Sequence, residues 1–186
     1  MSTGYQIKDQ TSAYYLTFQV VYWIDLFTRD KYREIIIDSL RFCLQNKGLE
    51  IFAFVIMSNH VHLIARSNKD NLSDIIRDFK KYTSKQFIDE IDLSTESRKK
   101  WMLNLFQHAA KKQNKNGSYQ VWTHENHAIE VFSNTVIWQK VNYIHDNPVR
   151  NKLVENSWDY LYSSARNYAD MEGVLEITKL SVPLNK

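Results

Sequence analysis

The spacing of hydrophobic residues in the first third of the chain predicts a strand, a helix and a strand pair. Residues 14–24 (YYLTFQVVYWI) are rich in aromatic and β-branched side chains, which is typical of a strand. Apolar residues then recur at helical spacing between a predicted N-cap at Thr28 and a closing glycine at Gly48. The apolar run 51–57 predicts a buried strand, and residues 60–66 predict the strand that returns beside it after a tight turn.

The remainder of the chain predicts three more helices and one more strand. Apolar positions over residues 72–91 fall on one side of a long amphipathic helix, and a second helix is expected over 93–112. Residues 113–118 are polar and predict a loop. A strand over 126–132 (NHAIEVF) and a helix over 134–145, capped at its first residue by an asparagine, complete the pattern.

Length and composition predict one globular domain. The 186 residues contain 44% hydrophobic and 13% aromatic residues, and no linker is long enough to divide them, so we expect a single domain over 1–186. Its core would span about 14–168, with 169–186 as a C-terminal tail. No membrane-length apolar run or basic, then apolar leader pattern is present, so we expect a cytoplasmic protein without membrane contact. The lone Cys43 excludes an internal disulfide and predicts a buried thiol.

The charge of the chain permits nucleic-acid binding without requiring it. The formal net charge is +3, and lysine and arginine cluster between residues 80 and 115 with aromatic side chains among or close to them. Cations can follow phosphates and aromatic rings can stack on bases, which is the combination that binds single strands. An ordinary solvated helix face is the alternative for each of these clusters.

A pair of histidines is the first candidate for chemistry. His60 and His62 lie within an apolar run and are two residues apart, so on a strand they point to the same face. Two neutral imidazoles side by side can hold one divalent ion. A hydrogen-bonded structural role in the core is the alternative for either residue.

A second candidate segment lies at the end of the last predicted helix. Tyr143 and Asn147 are one helical turn apart and can share a face. Pro148 disfavours helical geometry at the residue before it, so a helix end or kink is expected there. The alternative for this tyrosine is packing in the core, because the chain contains eleven tyrosines.

The two segments together resemble a known family. Residues 55–64 (VIMSNHVHLI), then residues 143–150 (YIHDNPVR) and residues 158–164 (WDYLYSS), closely resemble the HUH single-tyrosine transposases, and most closely the REP-associated tyrosine transposases. The resemblance spans about residues 14–168. Two departures stand out: Ser58 occupies a position where relatives often have proline, and residues 151–153 (NKL) replace a common Ala-Gly-Leu.

The resemblance implies a fold and a set of site residues. The fold would be α+β, a ferredoxin-like antiparallel sheet packed by helices, with the nucleophilic tyrosine on a later helix. Tyr143 would be the nucleophile, His60 and His62 would be metal ligands, and Asn147 would be the third ligand. Two imidazoles, an amide and open positions suit Mg²⁺ or Mn²⁺, whereas structural zinc prefers four protein ligands and usually cysteine.

The resemblance also implies a reaction and a substrate. The enzyme would cleave and rejoin single-stranded DNA that carries a hairpin or palindromic repeat, through a 5′-phosphotyrosine intermediate. Lys80, Lys81, Arg150 and Lys152 are the candidate DNA contacts. His145 is expected to be structural or DNA-facing, His124 and His127 to pack or lie on the surface, and Asp146 to serve the turn, so these four are not members of the catalytic set.

Two other function classes remain open at this point. One is a non-catalytic, domesticated DNA-binding protein of the same fold, and the other is a metal-dependent hydrolase that uses the histidines without tyrosine chemistry. A covalent protein–DNA adduct and strand cleavage, measured together, distinguish the three. The sequence leaves open whether the protein is a monomer or a homodimer, and relatives of both kinds are known.

Overall fold

The structure, a computed structural model, describes residues 6–114 and 118–181 and is built on an antiparallel sheet. The four strands are β1 (Tyr14–Gln19), β2 (Leu49–Ile56), β3 (His60–Ser67) and β4 (Ile129–Glu130). Their order across the sheet is β2-β3-β1-β4. The predicted α+β class with an antiparallel sheet packed by helices is confirmed. The strand that carries the histidines is central, as its apolar flanks predict.

Five α-helices accompany the sheet in the described part of the chain. They are α1 (Asp30–Phe42), α2 (Leu72–Leu93), α3 (Lys99–Lys111), α4 (Asn134–Arg150) and the short α5 (Ala165–Tyr168). A π-helical turn, Cys43–Lys47, extends α1, and Gly48 ends it in the left-handed conformation with φ 76°. The Cys43 thiol is buried, as expected. No helix in the described ranges is long and apolar enough to cross a membrane.

The apolar face of the sheet packs against α1 and α2. Leu16 and Phe18 of β1 share this face with Val61 and Leu63 of β3, because directly paired residues of antiparallel strands point the same way. The Phe18 ring lies 5.6 Å from the Phe79 ring of α2. These side chains belong to the hydrophobic core of the protein.

The opposite face of the sheet carries polar groups and faces α4. The register pairs Thr17 with His62 and Gln19 with His60, so these four side chains lie on one face. The Tyr143 ring of α4 lies 5.5 Å from the His62 ring, which places the helix over this face. The fold therefore brings the two candidate segments of the sequence together.

The outer edge of β2 is covered by the chain that follows α4. The Ile56 amide donates to the carbonyl of Tyr162, and the Ser164 amide donates to the carbonyl of Phe54. The Ser164 hydroxyl also accepts the Phe54 amide at 2.9 Å. Farther along, the Thr178 amide donates to the Ile51 carbonyl, so part of the predicted tail packs along the same edge.

The first predicted strand is too long. The strand β1 ends at Gln19, and Val21–Trp23 forms a tight 3₁₀ turn instead of continuing to residue 24. The reason is tertiary, because the Val20 amide donates to the Asn59 carbonyl and the Val21 amide to the Val121 carbonyl. An aromatic and β-branched run predicts extended backbone but does not contain these long-range partners.

Several predicted boundaries in the helices are also wrong. Thr28 does not cap α1, which begins at Asp30, and Ser133 rather than Asn134 caps α4 by accepting the Val136 amide. The helix α4 runs through Pro148 to Arg150 instead of ending near residue 145. Burial of this turn outweighs the local preference against helix before proline, and the chain leaves the helix one turn later.

The remaining differences concern short elements. The predicted strand at 126–132 is reduced to the two residues of β4, which pair only with Tyr14 and Tyr15 at the end of β1. The predicted helix over 93–112 begins later, at Lys99. Residues 113 and 114 lie in a turn, whereas 115–117 of the predicted loop lie outside the described residues.

Candidate metal and nucleophile site

Two imidazole rings stand side by side at the centre of the site. His60 and His62 lie on one face of β3, and their ring centroids are 4.7 Å apart. His62 is buried. Burial lowers the pKa of both histidines, and that of His62 falls to about 3, with further contributions from His60 and Lys140. Both rings are therefore neutral at physiological pH and keep a lone pair for a metal ion.

The strand β1 orients His62 through two hydroxyl groups. The Nδ1 atom of His62 lies 2.8 Å from the Tyr15 hydroxyl and 2.9 Å from the Thr17 hydroxyl. The Tyr15 ring also stacks on the imidazole, with centroids 5.4 Å apart. With Nδ1 engaged in this way, Nε2 is the nitrogen left to bind an ion, and hydrogen bonds to the other ring nitrogen are what orient a metal-binding histidine.

A single amide side chain orients His60. The Oδ1 atom of Asn59 lies 2.8 Å from Nδ1 of His60. The Nδ2 atom of Asn59 donates to Oδ1 of Asp25 at 2.9 Å and to the Trp23 carbonyl at 3.4 Å. Because the amide nitrogen must face these two acceptors, its oxygen faces the imidazole, which places the proton on Nδ1 and leaves Nε2 of His60 available.

Tyr143 projects from α4 toward the histidine pair. Its ring lies 5.5 Å from the His62 ring and 6.3 Å from the Tyr15 ring. Tyr143 is 38% exposed, whereas Tyr15 is 6% exposed. Burial raises the pKa of Tyr15 to about 12, so that hydroxyl stays protonated and acts as a hydrogen-bonding group. Of these two tyrosines, only Tyr143 is placed to meet a substrate.

Asn147 is buried one turn beyond the tyrosine on the same helix. Its Nδ2 atom donates to the backbone carbonyl of Tyr143 at 3.3 Å, so Oδ1 is the atom that could serve as a ligand. Across residues 6–114 and 118–181, no group of three or more His, Cys, Asp and Glu side chains could hold a metal ion. His60 and His62 are therefore the two donors that the structure brings together, and Asn147 stays a predicted third ligand.

Two cations flank the tyrosine on α4. Lys140 lies one turn before it, with its ammonium 4.7 Å from the centre of the Tyr15 ring. Arg150 lies two turns after it: its guanidinium carbon is 5.3 Å from the centre of the Tyr143 ring, and its Nη2 atom is 4.0 Å from the Asp146 carboxylate. The helix therefore presents positive charge on both sides of the tyrosine.

The other candidate DNA contacts differ in their surroundings. Lys81 and Lys152 are exposed, and the backbone of Lys152 is left-handed with φ 56°. Lys80 is half-buried, and its ammonium donates to the Thr123 carbonyl at 2.6 Å and to the Asn126 side chain at 2.7 Å. Burial lowers the pKa of Lys80 to about 8. This lysine is held inside the fold rather than presented to solvent.

The remaining histidines lie outside the central pair. His145 is buried and hydrogen-bonds through Nε2 to the Ser164 hydroxyl at 2.8 Å, which ties α4 to the segment along β2. Burial lowers its pKa to about 4. His124 hydrogen-bonds to Gln113, and His127 lies 3.9 Å from the Glu125 carboxylate. None of these contacts joins them to the histidines of β3.

Sequence reasoning missed the residues that support the histidines. Tyr15 and Thr17 alternate on β1 and so share a face, but only the register with β3 places them beside His62. Lys140 is three residues before the tyrosine, and that spacing alone indicates a shared helix face. Asn59 belongs to the histidine motif itself, yet its two-sided hydrogen bonding depends on the fold.

Comparison with known proteins identifies the family of the chain. The model of the family described as "Transposase IS200 like" matches residues 10–147. One solved structure, a REP-associated tyrosine transposase bound to a REP hairpin, is 20% identical, covers 97% of this chain and 96% of its own, and has a TM-score of 0.60. A candidate transposase from Deinococcus radiodurans is 18% identical, covers 78% of this chain and 97% of its own, and has a TM-score of 0.41. No curated protein matches the chain. The family model spans most of the sequence, and the chain therefore belongs to the IS200-like transposase family.

Proposed function

We propose that this transposase cleaves and rejoins hairpin-bearing single-stranded DNA, with Tyr143 as the nucleophile and His60, His62 and Asn147 as metal ligands. One observation carries the proposal: the exposed Tyr143 ring lies 5.5 Å from the His62 ring although the two residues belong to distant parts of the chain. A structural tyrosine needs no such neighbour. The element order, β1-α1-β2-β3-α2-α3-β4 followed by α4, also supports a ferredoxin-like single domain with the tyrosine on a later helix.

The donor set suits Mg²⁺ or Mn²⁺. The two imidazoles present Nε2, each fixed by hydrogen bonds at Nδ1, and Asn147 contributes a carbonyl oxygen. Nitrogen ligands favour Mn²⁺ over Mg²⁺, and a ligand set of two histidines and one amide, without cysteine, is unlike the sets that bind structural zinc. When bound, the ion would offset the negative charge that develops on the non-bridging phosphate oxygens during attack.

The residues of this chain then account for the reaction. The Tyr143 oxygen attacks the phosphorus and loses its proton, the bond from phosphorus to the 3′ oxygen breaks, and that oxygen takes up a proton to give a free 3′-OH. The products are a 5′-phosphotyrosine and a 3′-OH strand. One ester replaces another, so the reverse attack by a 3′-OH rejoins DNA without ATP.

Exposed lysine and arginine side chains, together with the solved relative, support a substrate of hairpin-bearing single-stranded DNA. That relative is bound to a REP hairpin, which supports a hairpin-bearing single strand for this chain. We propose that Lys81, Arg150 and Lys152 contact phosphates, because their side chains are exposed or lie beside the tyrosine. Lys81 belongs to α2 and Arg150 to α4, so these are separate contacts, and Lys80 would support only the contact at Lys81, through its hydrogen bonds to residues 123 and 126.

Adduct formation tests the chemistry directly. The wild-type protein, incubated with Mn²⁺ and single strands that carry hairpins, is expected to form a protein–DNA adduct that survives denaturing electrophoresis. Tyr143→Phe should abolish the adduct and retain DNA binding. The matched control is Tyr82→Phe, which removes an exposed hydroxyl from α2 and should leave the adduct unchanged. An adduct that persists in Tyr143→Phe would show that the nucleophile is a different residue.

Two other outcomes would favour the other function classes. Cleavage without any adduct would favour a metal-dependent hydrolase. Binding of the hairpin strand without cleavage would favour a DNA-binding protein that has lost the reaction.

A further inference from the structure

Two consecutive aromatic residues beside the histidine pair adopt a backbone conformation that bulky residues rarely adopt. Tyr22 and Trp23 have φ values of 56° and 55°, in the left-handed region. Their side chains are 44% and 60% exposed. Each large ring is therefore left partly open to solvent on a strained turn, and strain of this kind concentrates at functional sites.

The turn that carries these rings is held firmly. On one side, the Val20 amide donates to the Asn59 carbonyl, and on the other, the Phe27 amide donates to the Ser58 carbonyl. Arg98 adds a hydrogen bond at 2.8 Å to the carbonyl of Asp25. The turn is therefore anchored to the loop between β2 and β3, which directly precedes His60.

The two rings occupy different positions around the site. The Trp23 ring lies 6.1 Å from the His60 ring in an edge-on arrangement. Its carbonyl accepts a hydrogen bond from Asn59, the same side chain that orients His60. The Tyr22 ring lies 6.1 Å from the His108 ring and 5.5 Å from the Lys112 ammonium. Aromatic surface and positive charge therefore continue outward from the histidine pair.

We infer that Trp23 and Tyr22 form a stacking subsite for unpaired bases of single-stranded DNA next to the scissile phosphate, with Lys112 contacting the adjoining backbone. This inference rests on the proposed function, which places that phosphate at His60 and His62. Ring faces bind bases of any sequence, and a cation beside them attracts the phosphate that links those bases. Asn59 couples the two parts, because it holds the Trp23 turn and the metal-facing orientation of His60 at once.

Binding measurements with two matched strands test the subsite. The probes are a DNA hairpin with a mixed-sequence single-stranded tail and the same hairpin with an entirely abasic tail, which keeps the phosphates and removes the bases. Trp23→Gly removes the ring, and glycine adopts the left-handed backbone freely, so the fold is retained. Stacking of one base predicts roughly 5- to 100-fold weaker binding to the tail with bases and little change for the abasic tail.

Two further variants make the result specific. Trp23→Phe keeps a ring and should restore most of the affinity. Phe42→Ala removes an exposed ring from α1, which lies with α2 on the other side of the sheet, and should change neither affinity. Equal loss of affinity on both tails, no loss in Trp23→Gly, or no binding of either strand by the wild type would overturn the subsite.

The binding result for Trp23→Gly and the adduct result for the wild type test the subsite and the chemistry independently of each other. Base-dependent loss of binding in Trp23→Gly, in a protein that forms no adduct, would support the subsite while the cleavage proposal fails. A normal adduct in the wild type, together with unchanged binding in Trp23→Gly, would overturn the subsite and leave the chemistry intact.

Discussion

Removing both hydroxyl groups that contact His62 is expected to weaken metal binding far more than removing either one. Tyr15 and Thr17 lie 2.8 and 2.9 Å from the same Nδ1 atom. In Tyr15→Phe the ring still stacks on the imidazole and the threonine still pairs with Nδ1. In Thr17→Val the shape is kept and the tyrosine still pairs. Only the double variant leaves a buried ring nitrogen without a partner.

The size of the effect follows from the burial of His62. An unpaired buried polar group costs about 1–3 kcal/mol. Loss of a group that hydrogen-bonds to a metal-binding histidine lowers metal affinity by about 10- to 100-fold. This corresponds to about 1.4–2.8 kcal/mol, which agrees with the cost of the unpaired nitrogen. We expect at most about a threefold effect in each single variant, because one hydrogen bond to Nδ1 remains.

The assay is the Mn²⁺ concentration that gives half-maximal adduct formation, measured alongside the melting temperature. Tyr14→Phe is the control, because it removes a hydroxyl from the same strand on the opposite face, where that hydroxyl pairs with the Asp9 amide. Single variants as severe as the double variant, or a double variant with wild-type metal dependence, would refute the claim that these hydroxyl groups share the orientation of His62.

Two further predictions concern stability and the basic surface. Glu96 is buried, and burial raises its pKa, but hydrogen bonds from Arg98 and Tyr32 outweigh this effect and hold the pKa at about 2. Glu96→Gln should therefore lower the free energy of unfolding at pH 7 by roughly 3 kcal/mol, as measured by urea denaturation. Because the folded pKa lies below the ordinary 4.5, the wild type should lose this contribution as the pH falls from about 4.5 to about 2, and Glu96→Gln should lack that acid-sensitive part. Lys80→Met should lower the melting temperature with little effect on the salt dependence of DNA binding, whereas Lys81→Ala should reduce that salt dependence and leave the melting temperature unchanged. A reduced salt dependence in Lys80→Met, together with a lower melting temperature in Lys81→Ala, would contradict an internal role for Lys80.

The order of the main elements could be predicted from the sequence because their signals are local. The apolar run before His60 and the strand after it need only the hydrophobic pattern, and β2 and β3 form where that pattern places them. The family resemblance is carried by short motifs, which are also local. The family match over residues 10–147 confirms it.

The support of the site could not be predicted, because it depends on pairing between distant segments. No local pattern specifies that Thr17 is opposite His62, since a shift of one residue in register would turn Thr17 to the other face. The turn at Tyr22 and Trp23 could not be predicted either. Its sequence favours a strand, and the turn is imposed by hydrogen bonds from neighbouring residues to other segments of the chain. Continuation of α4 through Pro148 likewise reflects burial that a local rule does not include.

The covered edge of β2 has a consequence for assembly and for truncation. An open strand edge can accept a strand from another copy of a protein, and such edges promote aggregation. Here the backbone of Phe54 and Ile56 is already paired with residues 162–164, so two copies cannot extend the sheet across β2 without first displacing that segment. A homodimer of the intact protein would have to form through another surface. A chain shortened to end before residue 160 would expose this edge and is expected to self-associate by strand addition.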